Sequence, residues 1–412
     1  MSLSANISVM FAKLLQKKFA GVQKPLGRWI IRHVLEFTVL SPAILVTWFY
    51  LKLRGKEILV VGHFSNTISS FLAPLEPELR RRGQIHRSLN RAIVLNMSTD
   101  ANVQVRKMYD RIVTIYGDEA KIRRRLVWWS SQRGIYRRNL WEDQSNKFWV
   151  TGAPSVSFTD AEEALGQKYL EDHGLTKFDY ICYTVRTESY YLARISEGVT
   201  LKPQTKRNPS ESTYLEVANH LASAGFKILR MGKDLDTTLD KIKSPNVIDY
   251  ASDSRSDFLD VYLMRYCKFA FVGNTGIVWL RWLWNLPNVH GEAPEIRRNL
   301  IAGDLFILQK VWLKRECRYA TFSEMFSMPG YSEDKNLDRF EIELVKNTAE
   351  EIKAACDEMN AHIDGTWITS AEDEELQRRY QELLIKYSDR PKMNGGGRVG
   401  TQFLRDNQDL LK

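Results

Sequence analysis

The sequence predicts an α/β fold of two successive strand–helix units facing a common cleft, on three observations. Short β-branched runs alternate with segments of helical period, the pattern of a parallel sheet wound by helices. The alternation breaks at a Gly/Pro/Ser stretch, Thr151 to Ser157, and then restarts. The chain has 412 residues, 44% hydrophobic and 26% charged. That is enough for two or three cores and excludes a disordered, collagenous or disulfide-stapled protein.

The formal net charge of +9 points to an anionic partner, and it is unevenly placed. Residues 1 to 54 carry eight basic side chains against Glu36 alone, a local charge of +7. Within them Ile7, Met10, Phe11, Leu14, Leu15 and Phe19 recur at three- and four-residue steps, which predicts a basic amphipathic helix suited to a lipid interface. Val34 to Leu51 is almost continuously apolar, with Trp48 and Tyr50 near one end. Glu36 and Pro42 count against a spanning helix, because a charge and a helix break are costly in hydrocarbon. Residues 1–55 therefore read as a segment docking on an anionic membrane surface through residues 1–54. A buried first helix of the fold is the other reading of 34–51.

Residues 56–175 read as the first α/β unit. Glu57 to Val61 is a buried strand stopped by Gly62, and the loop His63-Phe-Ser-Asn-Thr leads into a helix ending near Arg80 to Gly83. Arg91 to Leu95 and Arg111 to Ile115 are further strands. A second basic cluster of Lys121, Arg123, Arg124, Arg125, Arg133, Arg137 and Arg138 has no acid between Ala120 and Leu140 and includes Trp128, Trp129 and Tyr136. No nucleic-acid-binding motif accompanies it, so nucleic acid is not an expected partner.

Residues 176–335 read as the second unit. Phe178 to Val185, Phe226 to Arg230, Val247 to Tyr250 and Phe269 to Val272 are its strands, with helices at Tyr214 to Ala224 and Asp257 to Arg265. Beyond Pro329 the chain reads as helices, Glu341 to Asn360 and Glu372 to Tyr387. Residues 336–412 are thus expected to cross back and brace the two units. The four cysteines, Cys182, Cys267, Cys317 and Cys356, have no metal-ligand spacing and read as reduced core thiols of a cytosolic protein. The amino terminus lacks the layout of a signal peptide.

Three strand ends carry candidate chemistry. The last strand delivers Gly273-Asn-Thr-Gly276 into a helical segment, so backbone N–H groups and the Thr275 hydroxyl face the mouth of the sheet, where phosphate binds in open α/β sheets. A plain tight βα turn is the alternative. Strand Tyr180 to Val185 ends in Arg186-Thr-Glu188, and an arginine is matched to a diphosphate as a permanently charged bidentate donor. A surface ion pair of Arg186 with Glu188 is the alternative. Phe226 to Arg230 ends in Met-Gly232-Lys233, adding Arg230, Gly232 and Lys233.

A resemblance rests on these segments. Tyr214-Leu-Glu-Val-Ala-Asn-His-Leu-Ala-Ser-Ala-Gly-Phe-Lys-Ile-Leu-Arg-Met-Gly-Lys resembles a family of bacterial glycosyltransferases of the surface-polysaccharide type. So do Val247-Ile-Asp-Tyr-Ala, Ser256-Asp-Phe-Leu-Asp-Val-Tyr-Leu, Asp304-Leu-Phe-Ile, Thr321-Phe-Ser-Glu-Met and Gly400-Thr-Gln-Phe-Leu-Arg-Asp-Asn. The likeness runs from about Gly62 onward and is best between Tyr214 and Met325. In outline the second half is also similar to the nucleotide-sugar domain of fucosyltransferase-like enzymes of the GT-B fold, two Rossmann-like domains across a cleft. It departs from them where Arg186 is followed by Thr-Glu.

The resemblance implies transfer of a sugar from a nucleotide-sugar donor to a lipid-linked or growing glycan at the cytoplasmic membrane face. Arg186, Arg230, Gly232, Asp257, Asn274, Thr275 and Gly276 would form the donor site. His63, in the loop after the first strand, is the candidate base for the acceptor hydroxyl, since its ordinary pKa of about 6.5 suits that task, and Glu188 is the alternative. No DxD with a supporting acidic cluster is evident, so neither a catalytic metal nor another cofactor is expected. A nucleotide-sugar epimerase on the same fold, or a non-catalytic membrane-bound interaction protein, are the competing classes.

Overall fold

The computed structural model describes residues 34–35, 37–61, 67–84, 89–96, 100–139, 152–196, 208–233, 244–273, 275–293, 303–387 and 396–412. The amphipathic stretch Ile7 to Phe19, His63 and Asn274 lie outside them.

The first unit is a four-stranded parallel sheet of β1 (Glu57–Val61), β2 (Ala92–Asn96), β3 (Thr114–Tyr116) and β4 (Arg137–Asn139), in the order β3-β2-β1-β4. Both faces of β1 are buried, which is why its sequence is a continuous apolar run rather than an alternating one. The expected strand at Arg111 to Ile115 begins later, because Arg111 caps the preceding helix and turns out to pair with Glu162.

The sheet's two faces have different neighbours. Ile58, Val60, Ile93 and Leu95 are covered by helices α1 (Ser41–Leu53), which begins at the expected Pro42 break, and their core also holds Val127. Leu59, Val61 and Val94 face the other way, onto α2 (Ile68–Gln84) and α3 (Val103–Asp110). Val127 belongs to α4 (Lys121–Ser131), which packs beside α1.

Among the described residues the second sheet has seven parallel strands. They are β5 (Tyr180–Val185), β6 (Lys227–Arg230), β7 (Val247–Ile248), β8 (Ala270–Gly273), β9 (Asn288–Ala293), β10 (Leu305–Leu308) and a terminal strand Arg398–Val399. Their order is the terminal strand, then β10-β9-β8-β5-β6-β7. Chain order therefore reverses next to the first strand of each unit, between β1 and β4 and between β5 and β8. Two Rossmann-like α/β units are the result. The expected strand to Tyr250 stops at Ile248, and Tyr250 opens a helical turn, Tyr250–Asp253.

Helices α5 (Asp160–Asp172), α6 (Glu188–Ser196), α7 (Glu211–Ser223) and α8 (Asp257–Tyr266) complete the unit. One face of the sheet (Ile181, Tyr183, Phe271, Val289) packs on α7 and on α9 (Ala349–Ile363) and α10 (Ala371–Tyr387). The buried side chains of these terminal helices belong to that core of the second sheet. Helix does not begin at Glu341: Ile342–Val345 is a strand, with Ile342 and Leu344 buried and Glu343 exposed. It pairs with Lys310–Leu313, and α9 starts only at Ala349, behind the Thr348 N-cap, whose capping box Glu351 completes from the helix's first turn.

The opposite face of the second sheet (Tyr180, Cys182, Leu229, Ala270, Val272) shares a single core with α2 and α3 of the first unit. Polar pins cross that junction. Arg80, buried on α2, pairs with Glu76 at 2.7 Å and donates to Leu283 O at 2.6 Å and Asn285 Oδ1 at 2.7 Å. Of the cysteines, three are buried; Cys317, expected in a core, is exposed in a turn with φ of +49°.

Candidate functional site

The carboxyl end of β5 turns into Arg186-Thr187 and the start of α6 at Glu188. Its neighbour β8 is in register with it, Val185 opposite Gly273, so the turn after β8 emerges beside the Arg186 loop. This is the reversal point of the strand order, where parallel sheets open a crevice. Arg186 is half-buried, Thr187 buried and Glu188 exposed. The structure thus brings Arg186, Glu188, Thr275 and Gly276 to one edge.

Gly273 is a glycine for a visible reason: a Cβ there would lie 2.3 Å from Pro209 Cγ. Beyond it Thr275 is extended, with φ of −115°, and Gly276–Val278 forms a 3-10 turn running into the four-residue helix Trp279–Trp282. A segment this short contributes little macrodipole, so the turn offers individual N–H groups and a hydroxyl rather than a helix field.

The β8 turn also reaches the first unit. A Cβ on Gly276 would sit 3.7 Å from Ser69 Oγ and 3.9 Å from Ser69 N. Ser69 belongs to the first turn of α2, where Thr67 Oγ1 lies 3.1 Å from Ser69 Oγ and 2.9 Å from Ser70 Oγ. In the sequence His63 falls between β1 and this turn, outside the described residues. Sequence reasoning passed over the three hydroxyls, although a Thr just before a helical period is itself a capping signal.

Other candidates are engaged elsewhere. Arg230, 1% exposed, forms ion pairs with Asp249 at 3.1 Å and with Glu211 at the start of α7. Its charge is taken up by two carboxylates, and it ties β6 to α7 and to the chain after β7. Asp257 pairs with Arg255 at 2.8 Å and accepts from Val103 N at 2.7 Å. It therefore caps α3 of the first unit and acts as a connector between the units. Gly232 and Lys233 follow buried Met231 and are half-buried.

One acidic group at the same edge had no signal in the sequence. Glu292, on β9, is fully buried, has φ of +51°, and neither of its carboxyl oxygens has a hydrogen-bond partner. Burial pushes its carboxyl up to about 7, with the charge of Lys346 offsetting only part of the effect. Its N–H donates to Asn347 Oδ1 at 2.8 Å, and Asn347 Nδ2 donates to Leu308 O at 3.0 Å, so one side chain holds the ends of β9 and β10.

No protein-family model matches the chain, and no curated protein matches it. Among solved structures it is similar to a glycosyl transferase family 9 protein from Veillonella parvula, with 11% identity and a TM-score of 0.40 over 60% of this chain and 82% of that one. It is similar to the ADP-heptose LPS heptosyltransferase II of E. coli, with 14% identity and a TM-score of 0.37 over 57% and 84%. It is also similar to the iron-containing dodecameric glycosyltransferase TibC of enterotoxigenic E. coli, with 12% identity and a TM-score of 0.32 over 58% and 59%.

Proposed function

We propose that the protein is a glycosyltransferase of GT-B type that moves a sugar from a nucleotide-sugar donor to a lipid-linked or growing surface glycan. Work at the inner face of the membrane, through residues 1–54, is part of that reading. The observation that carries it is the reversal point between β5 and β8, where the Arg186 loop and the Thr275–Gly276 turn share one edge. Gly276 lies there against Ser69 of the first unit.

In such a reaction the acceptor oxygen attacks the anomeric carbon, and the bond from that carbon to the diphosphate breaks with the electron pair leaving on the diphosphate. Arg186 and the N–H groups of the β8 turn would stabilise the departing charge. His63 would take the acceptor proton, with Glu188 as the other candidate. None of these roles calls for a resident metal.

A calorimetric panel of nucleoside diphosphates and nucleotide sugars tests the reading, and binding of at least one donor is expected. Arg186→Ala should reduce transfer by about 100-fold or more with thermal unfolding unchanged. Absence of binding across the panel, or full turnover in the variant, would sink it.

A further inference from the structure

Two basic stretches about seventy residues apart in sequence meet on one face of the first unit. Helices α1 and α4 pack side by side. Trp48 Nε1 donates to Arg133 O at 2.9 Å, Ser130 Oγ donates to Ile44 O at 3.0 Å, and Phe37 meets Trp129 edge-on at 5.2 Å. Together they cover the sheet face that points away from the core shared with the second unit.

Helix α1 has two unlike sides, both apolar. Ile44, Trp48 and Leu51, at steps of four and three, turn inward. Leu45, Val46, Phe49, Tyr50 and Leu53 form the outer side, with Val46 and Leu53 each 71% exposed and Phe49 58%. Such an outer stripe on a helix already packed on its inner side needs a partner other than this domain's core. Cations stand at its carboxyl end and on the first turn of the paired helix, which follows the exposed Glu119. Lys52 and Arg54 close the carboxyl end, each over an aromatic ring (Trp48 and Tyr50), and the first turn of α4 exposes Lys121 and Arg123 around an exposed Ile122. Neither helix contains an acidic residue.

We infer that the outer side of α1, with the exposed first turn of α4, is a composite docking face for an anionic lipid bilayer. Phe49, Val46 and Leu53 enter the headgroup boundary while Lys52, Arg54, Lys121 and Arg123 meet lipid phosphates. Charge complementarity selects this occupant: an apolar strip with interfacial aromatics, cations at its carboxyl end and further cations on the helix packed beside it matches a negatively charged lipid surface. At thirteen residues α1 is too short to span a bilayer, and among the described residues no helix is long and apolar enough to cross one. The inference deepens the membrane-surface part of the proposed function and does not depend on the transfer chemistry.

The test is flotation of the full chain with phosphatidylglycerol-containing and pure phosphatidylcholine vesicles. Wild type should bind the anionic vesicles and lose binding in high salt. Val46→Asp with Phe49→Asp should lower the bound fraction about tenfold or more, and Lys121→Glu with Arg123→Glu should weaken it mainly at low salt. Both pairs should leave circular dichroism and donor binding unchanged; Val46→Ser with Phe49→Ser serves if the aspartates disturb the helix. Wild-type flotation of the Asp pair overturns the proposal. If a chain lacking residues 1–33 then fails to float, the amino-terminal segment alone does the docking and the broader membrane reading survives. If that chain floats too, or wild type never binds, both readings fall. A dimer that the Asp pair dissociates, with flotation unaltered, would identify a second copy as the occupant instead.

Discussion

At the scale of single residues, the chemistry divides between side chains whose interactions are satisfied and those held at some cost. Arg230 looks, in sequence, like a cation offered at a strand end, yet Asp249 and Glu211 bracket it. Glu292 is the opposite case: unremarked in the sequence, it is a buried acid in a left-handed backbone conformation without hydrogen-bond partners for its oxygens. Because the folded protein holds its proton up to about 7 against an ordinary 4.5, this group favours folding fully below 4.5 and loses that contribution as pH rises through about 7. Glu292→Gln should leave stability nearly unchanged at acid pH and raise it above neutral pH by up to about 3 kcal/mol. Chemical denaturation across pH measures this, and parallel wild-type and variant profiles would refute it.

At the scale of elements, strands were legible where burial on both faces makes them continuous apolar runs. That held for β1, β2, β5 and β8, whose bounds fall within a few residues of those expected. It failed at Ile342–Val345, where a half-buried strand alternates with glutamates and so resembles the acidic helix that follows. The glycines at the strand ends show what spacing does not. A Cβ on Gly291 would stand 2.4 Å from Tyr214 Oη, because α7 lies directly against the ends of β8 and β9. Gly291→Ala should therefore cost about 1–3 kcal/mol through displacement of α7. Tyr214→Phe in the same chain should relieve part of it, and a Gly291→Ala protein with wild-type stability would show that α7 is not so closely held.

At the scale of the whole molecule, the two units are joined by an apolar core with a few buried polar pins. Arg80 is the central one, bonded to Glu76 in its own helix and to Leu283 and Asn285 across the junction. Arg80→Ala leaves Glu76 buried beside Tyr109, whose hydroxyl donates to it at 2.5 Å, and removes the cross-junction bonds. A loss of about 3–5 kcal/mol is expected. If denaturation midpoints are unchanged, the junction rests on its apolar contacts alone.

The sequence by itself determined the alternation of strands and helices, the division into two α/β units, and which loops leave the strand ends. Those properties follow from local periodicity and turn chemistry, which any short window of the chain carries. Only the tertiary structure decided which strand ends are neighbours, because register between β5 and β8 is set by a pairing across some ninety residues. It likewise decided that Arg230 is held by carboxylates on either side of it in the chain, that Asp257 is bound by Val103 of the first unit, and that two separate basic stretches meet as one helix pair. Pairing, burial and charge compensation are sums over contacts distant in sequence, and they exist only once the chain has closed on itself.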